Sequence, residues 1–351
     1  MITFARAREI LAAGIAARVF PGAVAHIGRQ AGTVETLAVG HLTYEAGAPP
    51  VRPDTIFDLA SLTKVLAGAT LTLGLVDSGR IAPDDLVRSW LQGWDADDRR
   101  DVTVRDLLEH SSGLPAYRPY YLHAHGRPAF EAAIMREPLV YPPRASSLYS
   151  DVGFMLVGFI LEDAGGAPLS TQFDTWRAVL PGRSEAMRYG PVPPDDVAPT
   201  EHDRWRGRML QGEVHDENAA ALDGIAAHAG LFGPADAVAA AARWWMQALS
   251  GGVPSISPMS AHRFTSPSAV PGSSRALGWD TMRTSSSCGT RMSARAFGHT
   301  GYTGTSLWID PAQDLYVVLL TNRVHPTREG VGIRDVRRAF HDAVVAAIDA
   351  Q

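Results

Sequence analysis

Ser61-Leu62-Thr63-Lys64 places an amine three residues beyond a hydroxyl. On a helix, residues three apart share a face, so the Lys64 amine can reach the Ser61 hydroxyl. A serine hydroxyl is a poor nucleophile until a neighbouring base removes its proton. S-x-x-K arises by chance in many chains, but here it follows Phe57 and opens an apolar helical stretch. Tyr149-Ser150-Asp151 stands just ahead of a second apolar helix. A tyrosine beside a lysine is expected to have a lowered pKa, because an ammonium favours the phenolate; on its own, Tyr149 reads as a half-buried packing residue. His299-Thr300-Gly301 ends a strand signal and runs into Tyr302-Thr303-Gly304. Glycines there let a strand edge approach a bound substrate closely, although a lone histidine is more often a core or surface residue.

The elements that must carry these groups can be read from periodicity. The first segment is an amphipathic helix (Phe4, Ile10, Leu11, Ile15, Val19), followed by strand-like GAVAHIGRQ and VETLAVGHLTY. From Ser61 the apolar residues recur at helical spacing as far as a stop at Gly79. Ser61 is thus expected in a helix's first turn, at the positive end of its dipole. Residues 83–248 read as helices and loops, with DLVRSWLQGW, VTVRDLLEH and GFMLVGFILEDAGG helical and proline clusters at 138–143 and 191–199. Trp90 and Trp94 fall four apart on the first of these, as core or cleft wall, while Trp244-Trp245 fit core packing. Two strand signals, ARAFGHTGYTGTSLWIDP and LYVVLLTNRV, and a closing helix, VRRAFHDAVVAAI, end the chain. The expected layout is a domain built from residues 1–82 and 249–351, with a mostly helical subdomain at 83–248.

With 351 residues, 46% of them apolar and 20% charged, the chain suits a large soluble core with a second subdomain. The net charge of -5 is spread along it, and no Lys/Arg block suggests a nucleic-acid partner or a polybasic membrane anchor. Cys288 is the single cysteine, which excludes an intrachain disulfide and a cysteine zinc site and leaves a free thiol. Arg6, Arg8, Glu9 and Arg18 interrupt any apolar run at the N-terminus, so neither a signal peptide nor a membrane span is evident. The expected location is cytoplasmic, unless a leader has been removed.

The order S-x-x-K, Y-x-N/D, H/K-T-G resembles the serine β-lactamase and penicillin-binding superfamily, in its branch of class C β-lactamases, D-alanyl-D-alanine peptidases and related esterases. FDLASLTK, GRIAPDDLV, VTVRDLLEHSSGLP and HTGYTGTSLWIDP resemble it too, so the likeness runs from about residue 20 to 345. It implies an α+β fold of the β-lactamase/transpeptidase type, with an antiparallel sheet flanked by helices plus a mostly helical subdomain. It implies Ser61 as the nucleophile of an acyl-enzyme, with Lys64 and Tyr149 sharing the proton work. The oxyanion hole would be the backbone N–H groups of Ser61 and Tyr302. His299 takes a place often held by lysine, and Thr300 and Gly301 would help position the substrate. Asp151 departs from the asparagine common in that branch; its carboxylate should keep Lys64 protonated and shift the base role to Tyr149. GEVHDENAAALDGIAAHAGLFG is expected to bring His228, with His215, Asp216 and Asn218, to the cleft. A hydrogen-bonded structural loop is the alternative, and a metal there, or at His123-Ala124-His125, is disfavoured for want of a third ligand at zinc spacing.

The function expected is hydrolysis of esters or amides of a small-molecule or peptide substrate, with carboxylesterase activity, no cofactor and no metal. A D-alanyl-D-alanine peptidase is one alternative, in tension with the absent export signal. A catalytically idle scaffold on the same fold is another. An α/β-hydrolase fits poorly, because no G-x-S-x-G elbow occurs. Tyr117, Tyr120 and Tyr121 follow HSSGLP and are candidates for an aromatic rim around an acyl or glycan substituent.

Overall fold

The computed structural model describes residues 3–182 and 184–350. Ala7, Leu11 and Gly14 form the buried stripe of α1 (Ala5–Ala16), which leads into a hairpin of β1 (Gly22–Arg29) and β2 (Gly32–Gly40). Strand β3 (Phe57–Asp58) precedes a 3-10 turn (Ala60–Leu62), a π-helical stretch (Lys64–Ala69) and α2 (Thr70–Asp77). Next come α3 (Val104–Leu108), α4 (Gly126–Ile134), α5 (Asp151–Gly165), α6 (Leu169–Arg177) and α7 (Glu217–Ala221). The short strands β4 (Arg188–Tyr189), β5 (His202–Asp203) and β6 (Arg208–Met209) lie before α7. Strand β7 (Leu231–Gly233), α8 (Ala235–Ser250) and α9 (Pro258–Thr265) follow it. Strands β8 (Asp280–Thr281), β9 (Phe297–Thr300), β10 (Ser306–Asp310) and β11 (Leu315–Thr321) and helix α10 (Ile333–Asp349) complete the chain.

The six-stranded sheet is antiparallel throughout, in the order β2-β1-β11-β10-β9-β8. β11 is apolar along its length because both its faces are covered. Leu315, Val317 and Leu319 pack with Phe340 and Val344 of α10, while Tyr316, Val318 and Leu320 join the larger core with α8. Alternation along a strand sends successive side chains to opposite faces, so only a strand covered on both sides shows this pattern. The two ends of the chain thus meet in one antiparallel sheet flanked by helices. A smaller sheet, β3-β7-β4, and the β5-β6 hairpin lie outside it.

Residues 60–77 depart from a regular α-helix. The stretch is apolar and long enough by composition to cross a bilayer, yet 78% of it is buried inside the protein. Ala60 has φ +47°, so Ser61 follows a left-handed residue and sits in the 3-10 turn instead of the first turn of an α-helix. A π-helical turn is wide, and Thr70 helps hold it: its hydroxyl donates to Val65 O at 2.7 Å and accepts from Trp245 Nε1 at 3.0 Å. DLVRSWLQGW is not a helix either. Only Val87–Ser89 turns, because Leu86 bridges Thr103, Val87 N–H donates to Val102 O, and Gly93 has φ +83°. Trp94 is a core residue whose Nε1 donates to Arg99 O at 3.1 Å.

Candidate active site

Ser61, Tyr149, Asp151, His299, Thr300, Gly301 and Tyr302 all line one cavity of about 700 Å³, and Lys64 lies buried beneath it. Lys64 Nζ spends its three protons on Ser61 Oγ at 3.1 Å, Asp151 Oδ1 at 2.6 Å and the His228 carbonyl at 3.0 Å. Tyr149 stands beside this cluster, its ring centroid 4.9 Å from Lys64 Nζ. Ser150 fixes the start of α5: its hydroxyl accepts from Gly153 N–H at 3.0 Å and donates to Pro115 O at 2.7 Å. This N-cap aims the neighbouring Tyr149 and Asp151 at the lysine.

Burial pushes the Lys64 ammonium down, but Asp151 and Tyr149 push it up, and the balance lies above the ordinary lysine range. Burial also pushes the Tyr149 phenol up, reinforced by Asp151, and this outweighs the opposing pull of Lys64. The expected lowering of the Tyr149 pKa is therefore corrected: at neutral pH the resting pair is ammonium and phenol. His299 is buried, and desolvation followed by the fields of Arg275 and Lys64 holds it neutral, well below its usual value. Its Nδ1 donates to Thr300 O at 2.9 Å, which leaves Nε2 as a lone-pair acceptor without a protein partner.

The His299–Thr303 turn is stitched to the segment that carries Ser61. Thr303 Oγ1 donates to Asp58 O at 2.8 Å, and Thr305 Oγ1 to Leu59 O at 3.0 Å. Arg337, from α10, donates to Gly301 O at 2.9 Å and Thr305 O at 2.7 Å. A Cβ on Gly301 would lie 2.1 Å from Thr305 Oγ1 and 2.7 Å from Leu59 O. The glycine thus allows the strand end to approach the serine segment, where the sequence suggested an approach to substrate. Both N–H groups flanking Ser61 and the one before Tyr302 are committed: Ala60 to Asp58, Leu62 to Leu59 O, Gly301 to Thr305 O. Among the described residues the Ser61 and Tyr302 N–H groups have no such acceptor.

His228 reaches the site through its carbonyl. Its imidazole, buried at 1% exposure, bonds Asp216 through Nε2 at 3.0 Å and is not part of the cavity wall. Asp216 and His215 do line the cavity, and Asp216 also caps α7 by accepting from Ala219 N–H at 2.7 Å. Asn218 clamps the opposite loop, accepting from Tyr121 N–H at 3.0 Å. Glu201, Asp203 and Glu217 bring carboxylate oxygens within 4.8 Å of one another. Arg328 pairs with Glu201 and Glu217, Arg206 with Asp203, and His215 with Glu201. That cluster is an ion-pair network already supplied with cations. His123 and His125 are exposed. Cys288 is buried away from the cavity, and desolvation pushes its thiol up to about 12.

Three participants escaped the sequence reading. Asp58 is buried and braces the Ser61 turn, accepting from Ala60 N–H at 2.8 Å and His215 N–H at 2.7 Å. His110, within the quoted HSSGLP segment, packs 4.7 Å from the Tyr149 ring and accepts from Ser150 N–H at 3.0 Å. Arg275 lies over the Tyr149 ring at 5.0 Å and on the cavity wall, without an ion pair among the described residues. No motif flanks Arg275, and only the fold brings it there.

Residues 7–341 match the profile of the family described as Beta-lactamase. The chain is 33% identical over 347 residues to an N-acetylmuramyl-L-alanine amidase of Bacillus subtilis, covering 87% of this chain and 78% of that protein. It is 30% identical over 306 residues to a putative D-alanyl-D-alanine carboxypeptidase of Escherichia coli, covering 77% and 70%. EstCE1, a hydrolase with promiscuous acyltransferase activity, superposes with a TM-score of 0.76 at 21% identity, covering 97% of each chain. A penicillin-binding protein homologue from Caulobacter crescentus superposes at 0.74 and 21% identity, covering 98% of this chain and 97% of that one.

Proposed function

This chain belongs to the Beta-lactamase family, and we propose that it is a serine hydrolase that opens amide bonds of cell-wall glycopeptides through an acyl-enzyme on Ser61. The observation that carries the reading is the contact of Lys64 Nζ with both Ser61 Oγ and Asp151 at the cavity, with the Tyr149 ring 4.9 Å from the same nitrogen and on the cavity wall. Ester hydrolysis is within reach of the same chemistry. Amides are favoured because the amidase and carboxypeptidase relatives are 30–33% identical, whereas the esterase likeness, at 21% identity, extends to the fold alone.

In this reading Tyr149, a phenol at rest, works as a relay. It accepts the Ser61 proton while its own proton passes to the leaving nitrogen, so no free phenolate is required beforehand. The Lys64 ammonium, held charged by Asp151, stabilises the phenolate character that develops in transit. The Ser61 and Tyr302 N–H groups take the oxyanion, a donor pair in which each member is typically worth about 10²–10³ in rate. Water then replaces the leaving group and returns the proton by the same route. His299, neutral with Nε2 as acceptor, can receive a hydrogen bond from a substrate N–H or O–H, which a lysine at that place could not.

The reading is tested by intact mass and turnover of wild type and Ser61→Ala with N-acetylmuramyl-L-alanyl peptide and p-nitrophenyl acetate. Turnover that survives Ser61→Ala would sink it. A second reading, release of a C-terminal D-alanine, is favoured by Arg275. Its guanidinium, on the wall of the same cavity as Thr300 and without an ion pair among the described residues, is suited to a terminal carboxylate. Release of D-alanine from a pentapeptide, faster than cleavage of the muramyl amide, would select it.

A further inference from the structure

Three aromatic rings run outward from the reaction cavity. Tyr117 is on the cavity wall, Tyr121 follows it in the same loop close enough for the two phenols to feel each other's field, and Tyr121 meets Trp205 edge to face with centroids 4.8 Å apart. Tyr117 is 41% exposed and Trp205 44%, so the row leaves large apolar faces open to solvent beside a site that must take a ligand. Contiguous exposed apolar surface with a polar rim marks a binding surface.

The row is held in place. Tyr121 N–H donates to Asn218, whose Nδ2 donates to Arg118 O at 2.8 Å, so the loop is clamped to the segment carrying Asp216. Trp205 sits at the tip of the β5-β6 hairpin, next to Arg206, which pairs with Asp203 at 3.0 Å. Arg206 also donates to Val214 O at 2.7 Å and His215 O at 2.9 Å, tying the hairpin to the cavity wall. A platform already ordered loses little entropy when a ligand settles on it.

The charges around the row are paired: Arg328 with Glu217 at 2.7 Å, Arg204 with Glu329 at 3.1 Å, and Arg208 with Glu213. Compensated ion pairs exert little net pull on an ion, but they offer many donors and acceptors to hydroxyl groups. Open aromatic faces within such a frame suit a neutral ligand with one C–H face and a polar edge. A pyranose ring has that chemistry. We propose that Tyr117, Tyr121 and Trp205 form a saccharide-binding subsite continuous with the reaction cavity, which holds the sugar side of the substrate during acylation. The assignment rests on the glycopeptide reading above and adds where the sugar is held.

Two measurements separate the subsite from that reading. The first compares kcat/KM for N-acetylmuramyl-L-alanyl-D-isoglutamine and for N-lactoyl-L-alanyl-D-isoglutamine, which keeps the scissile amide and lacks the sugar. The sugar should give wild type at least a tenfold preference. Trp205→Ala should bring the ratio to within about threefold of one, and Trp205→Phe should restore most of it. The second titrates an N-acetylglucosamine tetramer into Ser61→Ala and Ser61→Ala/Trp205→Ala, with at least tenfold weaker binding expected in the double variant. A ratio near one in wild type, with no tetramer binding, overturns the subsite and leaves the amidase reading intact if the lactoyl peptide is still cleaved. Tetramer binding that needs Trp205, in a protein that cleaves neither peptide, keeps the subsite and removes the amidase reading.

Discussion

Replacing Asp151 by asparagine probes the charge state on which the relay depends. Asp151 Oδ1 lies 2.6 Å from Lys64 Nζ, and the lysine side chain has no exposure while that of Asp151 has 21%. Removing one partner of a buried pair typically costs about 3–5 kcal/mol, because the other charge stays desolvated without compensation. At about 2.1 cal/mol/K per residue, 351 residues unfold with roughly 0.7 kcal/mol/K, so the midpoint should fall by about 4–7 °C at pH 7. The sign of the pH dependence follows from linkage. In wild type the folded Lys64 pKa lies above the lysine value of 10.5, so the pair's contribution is complete below that pH and is lost only as pH rises through the folded value. In Asp151→Asn, burial becomes the dominant influence and draws the folded value below the unfolded one. The variant then releases a proton on folding, a cost that shrinks toward pH 10.5. The gap in melting temperature between the two proteins should therefore narrow from pH 7 to pH 10. The kcat profile of the variant should gain a rising limb with pH as a neutral Lys64 becomes available as base. Scanning calorimetry and steady-state rates over that range supply both curves. Equal stability at pH 7, or a gap that widens with pH, would refute the reasoning.

Tyr149→Phe should lower kcat by about 10²–10⁴, the usual worth of a positioned proton-transfer group, while Lys64→Met abolishes Ser61 labelling. Retention of most activity by Tyr149→Phe, with loss in Lys64→Met, would return the base role to the lysine. Gly301→Ala puts a Cβ 2.1 Å from Thr305 Oγ1 and displaces the turn that carries the Tyr302 N–H. A loss of about 10²–10³ in kcat is expected, similar to the deletion of one oxyanion donor, and unchanged kcat would remove Tyr302 from that role. Arg275→Ala should raise KM about 10–100-fold for peptides with a free C-terminal carboxylate relative to the same peptides amidated, at about 1.5–3 kcal/mol per hydrogen bond to a charged group. Equal effects on both would show that Arg275 acts only on Tyr149.

The parts of the site legible in the sequence are those whose geometry is local. Ser61 and Lys64 share a helical face by spacing alone, and Ser150 caps the helix that follows it. His299-Thr300-Gly301 stands out because glycine and strand signals coincide. The Asp151 substitution was enough to anticipate a charged Lys64. The rise in the Tyr149 pKa was not legible, because it depends on desolvation, which a one-dimensional reading weighs below a neighbouring charge. Asp58 and Arg275 act through contacts to chain far away; the Thr303 bond to Asp58 O spans 245 positions. The π-helical stretch from Lys64 to Ala69 has the same apolar pattern as an α-helix, and the hydrogen bond from Trp245 to Thr70 that accompanies it comes from tertiary contact. At residues 85–94 helical periodicity lost to a bridge with Thr103 and to the left-handed Gly93.

The position of β11 between β1 and β10 bears on how the protein comes into being. During synthesis the β1-β2 hairpin and Ser61 emerge early, yet β1 has an open edge until residues 315–321 are made and slot beside it. Until the segment from β9 to β11 docks there, the hydroxyls of Thr303 and Thr305 do not brace the chain around Ser61. A nascent or C-terminally truncated chain therefore holds Ser61 in an unassembled setting and presents a bare strand edge suited to chaperone capture. On the proposed acyl-enzyme reading, competence arrives with β11, so labelling of Ser61 would time the completion of folding.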